Sequence, residues 1–182
     1  DSAEIKRRFA RDHADRIVQV AQLIGGAFQA GHKVLLFGNG GSSTDAAHIA
    51  AEFVGRYKRE RAPLPAIALA TDIAAITCIA NDYGFEELFA RQVQAHGQRG
   101  DVAIAISTSG NSPNVLKGVE AAKALGLTTI AWTGGTGGKL AGMVDYAFVV
   151  PSTLTARIQE SHITLGHVLC ELIEDHVLAN PA

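Results

Sequence analysis

Apolar residues recur along this chain with two alternating rhythms, and the switches between them mark out its elements. From residue 2 to about 30, Ile5, Phe9, Ile17, Val20, Leu23, Ile24 and Phe28 return at spacings near three and four, which predicts one long helix ended by Gly31. Short continuous apolar runs then appear at 33–37, 65–69, 102–106, 128–132 and 145–150, and each predicts a buried strand. Between them the pattern returns to helical spacing. Helices are expected from about Ser42 to Tyr57, from a Thr71 or Asp72 cap to the Asn81–Gly84 region, and over Glu86–Gln98 and Pro113–Leu125. A short helix falls within 135–143, and a final one spans Ala156–Leu178. Strands alternating with helices predict an α/β fold with a five-stranded parallel sheet covered on both faces. Ligands of such sheets sit at the carboxyl ends of the strands, so the loops at Gly38 and Ser107 are expected to open onto one edge.

The stretch VLLFGNGGSSTDAAHIAAEF, residues 34 to 53, runs from a strand through a glycine turn into an alanine-rich helix. A helix N-terminus reached this way is an anion site, because its first N–H groups have no partner within the helix. His48 and Glu52, four residues apart, share one face of that helix. Two nucleotide motifs are approached and not completed. Gly38-Asn39-Gly40 starts like a dinucleotide fingerprint, but Ser43 takes the third glycine position and no acid is placed for a ribose. Around Gly138-Lys139, Thr133 replaces the leading glycine of a P-loop and Leu140 replaces its magnesium-binding hydroxyl. No nucleotide cofactor is expected.

A second cradle follows the third strand. STSGNSPN, residues 107 to 114, holds Ser107, Thr108, Ser109 and Ser112 around Gly110, more hydroxyls than one helix cap requires. Ser112 fits an N-cap with Pro113 at the first helical position, and the loop as a whole reads as a phosphate site. On the last helix Gln159, Glu160, His162 and His167 stand among apolar positions, which points to an active site without settling which residue acts. The four cations of residues 56–61 read as a solvated helix end, with Arg56 the expected exception.

The net charge of −2 disfavours a general nucleic-acid binder, and no apolar run reaches membrane-spanning length. Cys78 and Cys170 are expected to be buried free thiols of a reducing compartment. Since 182 residues suffice for a sizeable core, one domain is expected over 1–182, with a helical segment at 1–30 and the binding core at 33–178. The sequence opens at Asp1 and not at a methionine, so its native start is left open.

The GNGGS turn, the His-x-x-x-Glu helix, the GRY segment, ANDYGF, the STSGNS loop and RIQE-x-H…H together resemble bacterial phosphoheptose isomerases of the sugar-isomerase (SIS) domain family, in register from about Lys33 to Glu174. That resemblance implies a flavodoxin-like three-layer α/β/α sandwich. It also implies conversion of sedoheptulose 7-phosphate to D-glycero-D-manno-heptose 7-phosphate, in the cytoplasm, as a first step toward heptose for surface polysaccharide. Carried over residue by residue, Asn39, Gly40 and Gly41 match the first substrate loop, and Asn81 and Asp82 the sugar-contacting pair. Ser107, Thr108, Ser109 and Ser112 match the phosphate loop. His48, Glu52, Gln159 and His167 match the ligands of one zinc ion per subunit, with Glu52 and His167 also the acid/base pair and Glu52 and Gln159 also facing substrate.

The resemblance further implies a homotetramer with active sites between subunits. The spare apolar positions of the first and last helices suit burial there. Gln159 and His167, about 12 Å apart along one helix, make Gln159 the expected weak or exchangeable ligand. Ser43-Thr44, and the lack of an acid in 152–156, depart from the family pattern. Two rivals are a non-catalytic SIS protein of the kind that binds a replication initiator, expected to lack part of the acid/base set, and an isomerase of another phosphosugar.

Overall fold

The computed structural model describes residues 1–180, so positions 181 and 182 of the expected domain lie outside the described residues. The five apolar runs pair as one parallel sheet, ordered β2-β1-β3-β4-β5. The strands are β1 (Val34–Gly38), β2 (Ala66–Ala68), β3 (Val102–Ile106), β4 (Thr128–Gly134) and β5 (Tyr146–Val150). Successive side chains of a strand point to opposite faces, so a run with no polar break needs cover on both. Val34, Leu36, Ile104, Ile106, Trp132 and Phe148 pack against α1 (Ser2–Gln29), α2 (Gly41–Val54) and α6 (Thr155–Ala179). Leu35, Phe37, Ala103, Ala105 and Ala131 pack against α4 (Leu88–His96) and α5 (Pro113–Leu125). The result is the expected three-layer α/β/α sandwich.

The order reverses between β1 and β3, which pair from Val34–Val102 to Gly38–Ile106. This is the topological switch point, where a crevice opens beyond the strand ends. The loops after Gly38 and Ile106 therefore flank it, as expected.

Several elements differ from the pattern reading. Helix α2 begins at Gly41 and ends at Val54, three residues before Tyr57, where the chain turns away toward β2. Of the two candidate caps for α3 (Ile73–Asp82), Asp72 serves, accepting from the N–H groups of Ala74 and Ala75, while the Thr71 hydroxyl donates back to the Ala68 carbonyl. Cys78 is exposed and not buried, because α3 buries none of its residues despite an apolar composition. Cys170 is buried as expected, and burial pushes its thiol up to about 12. The first and last helices spend most of their apolar positions on each other within one chain, burying Ile17, Val20, Ile24, Leu165, Leu169 and Ile173. Exposed apolar side chains remain at Val18, Val168 and Leu178, and above all at Ile73, which is 76% exposed.

His162, fully buried on α6, lies against Trp132 with its Nε2 3.2 Å from the Thr133 carbonyl. A carbonyl can only accept, so Nε2 carries the proton, and the ring is neutral because Nδ1 is buried with no partner for a second one. Burial lowers its pKa to about 4, against the raising effect of the carbonyl. The unfolded chain, with a value near 6.5, then binds the extra proton first, so stability falls as the pH drops from about 6.5 to 4. The loss should approach about 3 kcal/mol at the acid end, at about 1.4 kcal/mol per pKa unit. His162→Gln, which keeps a donor toward Thr133, should show a shallower decline in urea midpoint over that window. An unchanged slope would remove His162 from the acid response.

Candidate active site

Glycine at 38 follows from close approach. A Cβ there would lie 2.6 Å from the Ile106 carbonyl oxygen and 2.8 Å from Ser42 Cβ. Gly40, at φ +55, turns the chain into α2, whose Ser42 and Ser43 N–H groups donate back to the Asn39 and Gly40 carbonyls. Across the switch point the Asn39 and Asn114 side-chain amides bond each other reciprocally, at 2.8 and 2.9 Å. Asn114 is buried and ties the first substrate loop to the hydroxyl loop. Sequence reading did not single it out, although its place four residues before buried Gly118 puts it on the core-facing stripe of α5.

The hydroxyl loop closes on itself. Ser107 and Ser112 hydroxyls meet at 3.1 Å, so Ser112 sits at the N-cap position without capping through its side chain. Thr108 and Ser109 look outward into a cleft of about 860 Å³, which Arg8, Gly135, Thr136 and Ser152 also line. The glycine-rich stretch after β4 holds the loop from behind: Gly134 N–H donates to the Thr108 carbonyl, and Leu140 N–H to that of Gly110. Its glycines are needed for this contact, since a Cβ on Gly138 would lie 2.5 Å from the Ser109 carbonyl oxygen. The run that approaches a P-loop in sequence is thus a backing for another loop.

Helices α2 and α6 lie side by side and run in the same direction. Gly41 faces Gln159, Ile49 faces Gly166, and His48 faces His167. Two glycines permit this approach, because a Cβ on Gly166 would meet Ile49 Cδ1 at 2.5 Å and one on Gly41 would meet the Gln159 amide at 2.5 Å. The pairing brings His48 Nε2 to 3.2 Å from Glu52 Oε1 and 3.4 Å from His167 Nε2. All three donor atoms lie within 4.8 Å of one another. A tetrahedral ion with bonds of about 2.0–2.1 Å sets its ligands about 3.3–3.4 Å apart, which the His48–Glu52 and His48–His167 separations match. The side chains are partly open to solvent, His48 most of all.

Gln159 lies at the other end of the helix pair, over the N-terminus of α2, and not among the trio. Asn81 and Asp82 are exposed at the end of α3, bonded to each other at 2.7 Å. That helix packs on α4 and the 3-10 turn Phe85–Glu87, away from the trio.

The basic segment beyond α2 is solvated as expected at Arg56, Lys58 and Arg59, whose side chains are exposed. Arg61, and not Arg56, is its exception: the Arg61 and Glu174 side chains are each 2% exposed and pair at 3.3 Å. Burial pushes the Glu174 carboxyl up, but N–H donation from Lys58, Tyr57 and Arg59, together with the Arg61 cation, outweighs it and holds the group below the usual carboxylate value. Tyr57 in turn stacks on the His167 ring, centroids 5.3 Å apart and planes at 18°. An acid on the apolar stripe Leu165–Leu169–Ile173 was the only readable sign of this pair.

The model of the SIS domain matches residues 1–134. The chain is 60% identical over 177 residues to a phosphoheptose isomerase of Aquifex aeolicus, covering 97% of this chain and 93% of that one. Among solved structures it is similar to a phosphoheptose isomerase from Neisseria gonorrhoeae, with a TM-score of 0.90 and 44% identity over 96% of this chain and 93% of the other. It is similar also to one from Francisella tularensis, with a TM-score of 0.92 and 41% identity at the same coverages.

Proposed function

The chain belongs to the SIS domain family, and from that premise we propose that it is a phosphoheptose isomerase, converting sedoheptulose 7-phosphate to D-glycero-D-manno-heptose 7-phosphate through an enediol. The observation that carries the reading is that one chain holds both the trio of His48, Glu52 and His167 and a complete hydroxyl loop. A non-catalytic relative would be free to lose part of that set. The phosphate sits on Ser107, Thr108, Ser109 and Ser112, and the sugar reaches past Asn39, Gly40 and Gly41 toward the trio.

The Glu52 carboxylate takes the proton from C1 of the ketose while His167 donates one to O2, giving the enediol. Loss of the O1 proton and return of a proton to C2 complete the aldose. His48, Glu52 and His167 would hold a zinc ion, and Gln159, which lies over the N-terminus of α2, would join as an exchangeable fourth ligand only from a neighbouring subunit. Bound there, the ion would polarise the sugar oxygens and stabilise the charge that develops on them.

Asn81 and Asp82 reach a sugar only from a neighbouring subunit in this reading, and exposed Ile73, Tyr83 and Phe85 around them suit burial there. The chain is accordingly read as one domain over 1–182, with the 1–30 segment and the 33–178 core assembled as a homotetramer. The enzyme is read as cytoplasmic, supplying heptose for surface polysaccharide. Among the described residues no helix is long and apolar enough to cross a membrane.

Incubating the zinc-loaded protein with sedoheptulose 7-phosphate, with light scattering on the same sample, tests the reading. Appearance of the aldose from a tetramer is expected. No aldose from folded, zinc-loaded protein would overturn the activity, and a monomer would overturn the shared site.

A further inference from the structure

We propose that the buried Arg61–Glu174 pair is a positioning device for the reaction, a clamp that holds Tyr57 against His167 and fixes the end of the helix that carries Glu52. The inference rests on the isomerase reading for its activity test. Its geometry stands apart from that reading, because neither residue belongs to the trio or to a substrate loop.

Three elements meet at this pair. Glu174, seven residues beyond His167 on α6, accepts three successive backbone N–H groups, those of Tyr57, Lys58 and Arg59, at 2.8, 3.0 and 3.1 Å. A carboxylate gripping three consecutive amides fixes the path of that segment and therefore the plane from which the Tyr57 ring projects. Arg61 reaches the other way. Its guanidinium donates to the carbonyls of Glu52 and Phe53, at 2.7 and 2.9 Å, and to those of Gly55 and Ala62, at 3.2 and 3.0 Å. The last carbonyls of a helix have no partner within it, so Arg61 caps α2 at the residue whose side chain is the proposed base.

A fold needing only to attach this segment has cheaper means, and uses them. Lys58 pairs with Glu171 and Arg59 with Asp175, both at the surface and both between the same segment and α6. Exposed pairs of that kind add little. Burying a cation and a carboxylate is costly unless each is paired and hydrogen-bonded, and here both are. The net effect is that Glu52 and His167, on different helices, are referred to one buried point. The stacked Tyr57 ring then limits the tilt of the His167 imidazole, the role that outer groups play around metal-binding histidines.

The test uses Tyr57→Leu, Tyr57→Phe and Glu174→Gln, with Arg59→Ala as a control that breaks a surface pair of the same segment. Turnover and KM are measured with sedoheptulose 7-phosphate, and zinc affinity by competition with a chelator. Loss of an outer partner typically costs about 10- to 100-fold in metal affinity or activity. Tyr57→Leu and Glu174→Gln should each lower kcat and weaken zinc binding by that order. KM should stay within about 3-fold, since the phosphate loop is untouched. Tyr57→Phe, which keeps the ring, should recover most of the loss, and Arg59→Ala should show none.

If Glu174→Gln fails to fold, Tyr57→Leu carries the test with the buried pair intact. Wild-type kcat and zinc affinity in a folded Tyr57→Leu protein would overturn the proposal. So would a rise in KM matching the fall in kcat, which would indicate general loosening. If the wild type binds zinc but leaves the heptulose phosphate unchanged, the isomerase reading fails alone and the zinc measurements still decide the clamp. A wild type that does neither overturns both.

Discussion

Replacing Glu52 by Gln is expected to leave a folded protein that binds the sugar phosphate but turns it over about 100- to 10,000-fold more slowly, the usual cost of removing a general base. The substitution keeps the size of the side chain and removes only its negative charge and basicity. The helix should persist, because its end is held through the Glu52 carbonyl and not its carboxylate. Phosphate binding should persist too, because the hydroxyl loop is anchored by Asn114 and the glycine stretch after β4. The discriminating measurement is exchange of the substrate's C1 proton with deuterated water, which reports proton removal even when later steps are slow. Exchange should vanish along with turnover. Glu52 is also a proposed ligand, so zinc content must be measured in the same variant, or lost metal would pass for a lost base. Exchange at the wild-type rate in a folded, substrate-bound, zinc-loaded variant would take the base role from Glu52 and leave it to His167.

Gly110→Ala should act on the other half of the site. Gly110 has φ +65, and a Cβ placed there would lie 2.1 Å from the Gly137 carbonyl oxygen, 2.7 Å from the Gly137 carbonyl carbon and 2.8 Å from Thr133 Oγ1. Two of those atoms are backbone, so the neighbour cannot simply rotate away. A left-handed conformation costs an L-residue about 1–2 kcal/mol, and forcing an atom into a packed site about 1–3 kcal/mol more. The variant should therefore be destabilised by about 2–5 kcal/mol, with the hydroxyl loop pushed off its backing. Each charge-assisted hydrogen bond to the phosphate is worth about 1.5–3 kcal/mol, so misplacing one should raise KM by about 10- to 100-fold. Turnover should change less, because phosphate contacts serve substrate and transition state alike. Ser109→Ala, which removes one hydroxyl and leaves the backbone in place, should raise KM without the stability loss. An unchanged KM in Gly110→Ala would mean that the phosphate is held elsewhere, and the Arg8 side of the cleft would then be the place to look.

Much of this site is local, and local features are legible in sequence. The strand–glycine–helix succession, the four-residue spacing of His48 and Glu52, and the hydroxyls gathered between Ser107 and Ser112 each follow from covalent neighbours and a fixed helical period. Contacts made across the fold are less legible. Arg61 looks like one cation among four until Glu174 is placed 113 positions later, and nothing in the spacing of either residue announces the other. Cys78 reads as buried from its apolar neighbours, yet α3 is covered only in part, through half-buried Ile76 and Ile79, and Cys78 stays exposed. Ser112 has the residue type of a cap, but a serine hydroxyl has more than one possible partner, and it pairs with the neighbouring loop serine and not with a helix N–H.

Taken alone, the sequence determined the element order, the parallel sheet, the edge where a ligand would bind and the residue types that would meet it. Periodicity and backbone valence dictate these within a few residues of each position. Tertiary structure decided which side chains meet. The close approach of α2 and α6 at Gly41 and Gly166 sets His167 against His48 and leaves Gln159 about two turns away. Burial decided which of the cations is locked in a buried ion pair and which pair with carboxylates only at the surface. Distances between helices and exclusion from solvent are properties of the packed chain, and no window of sequence contains them.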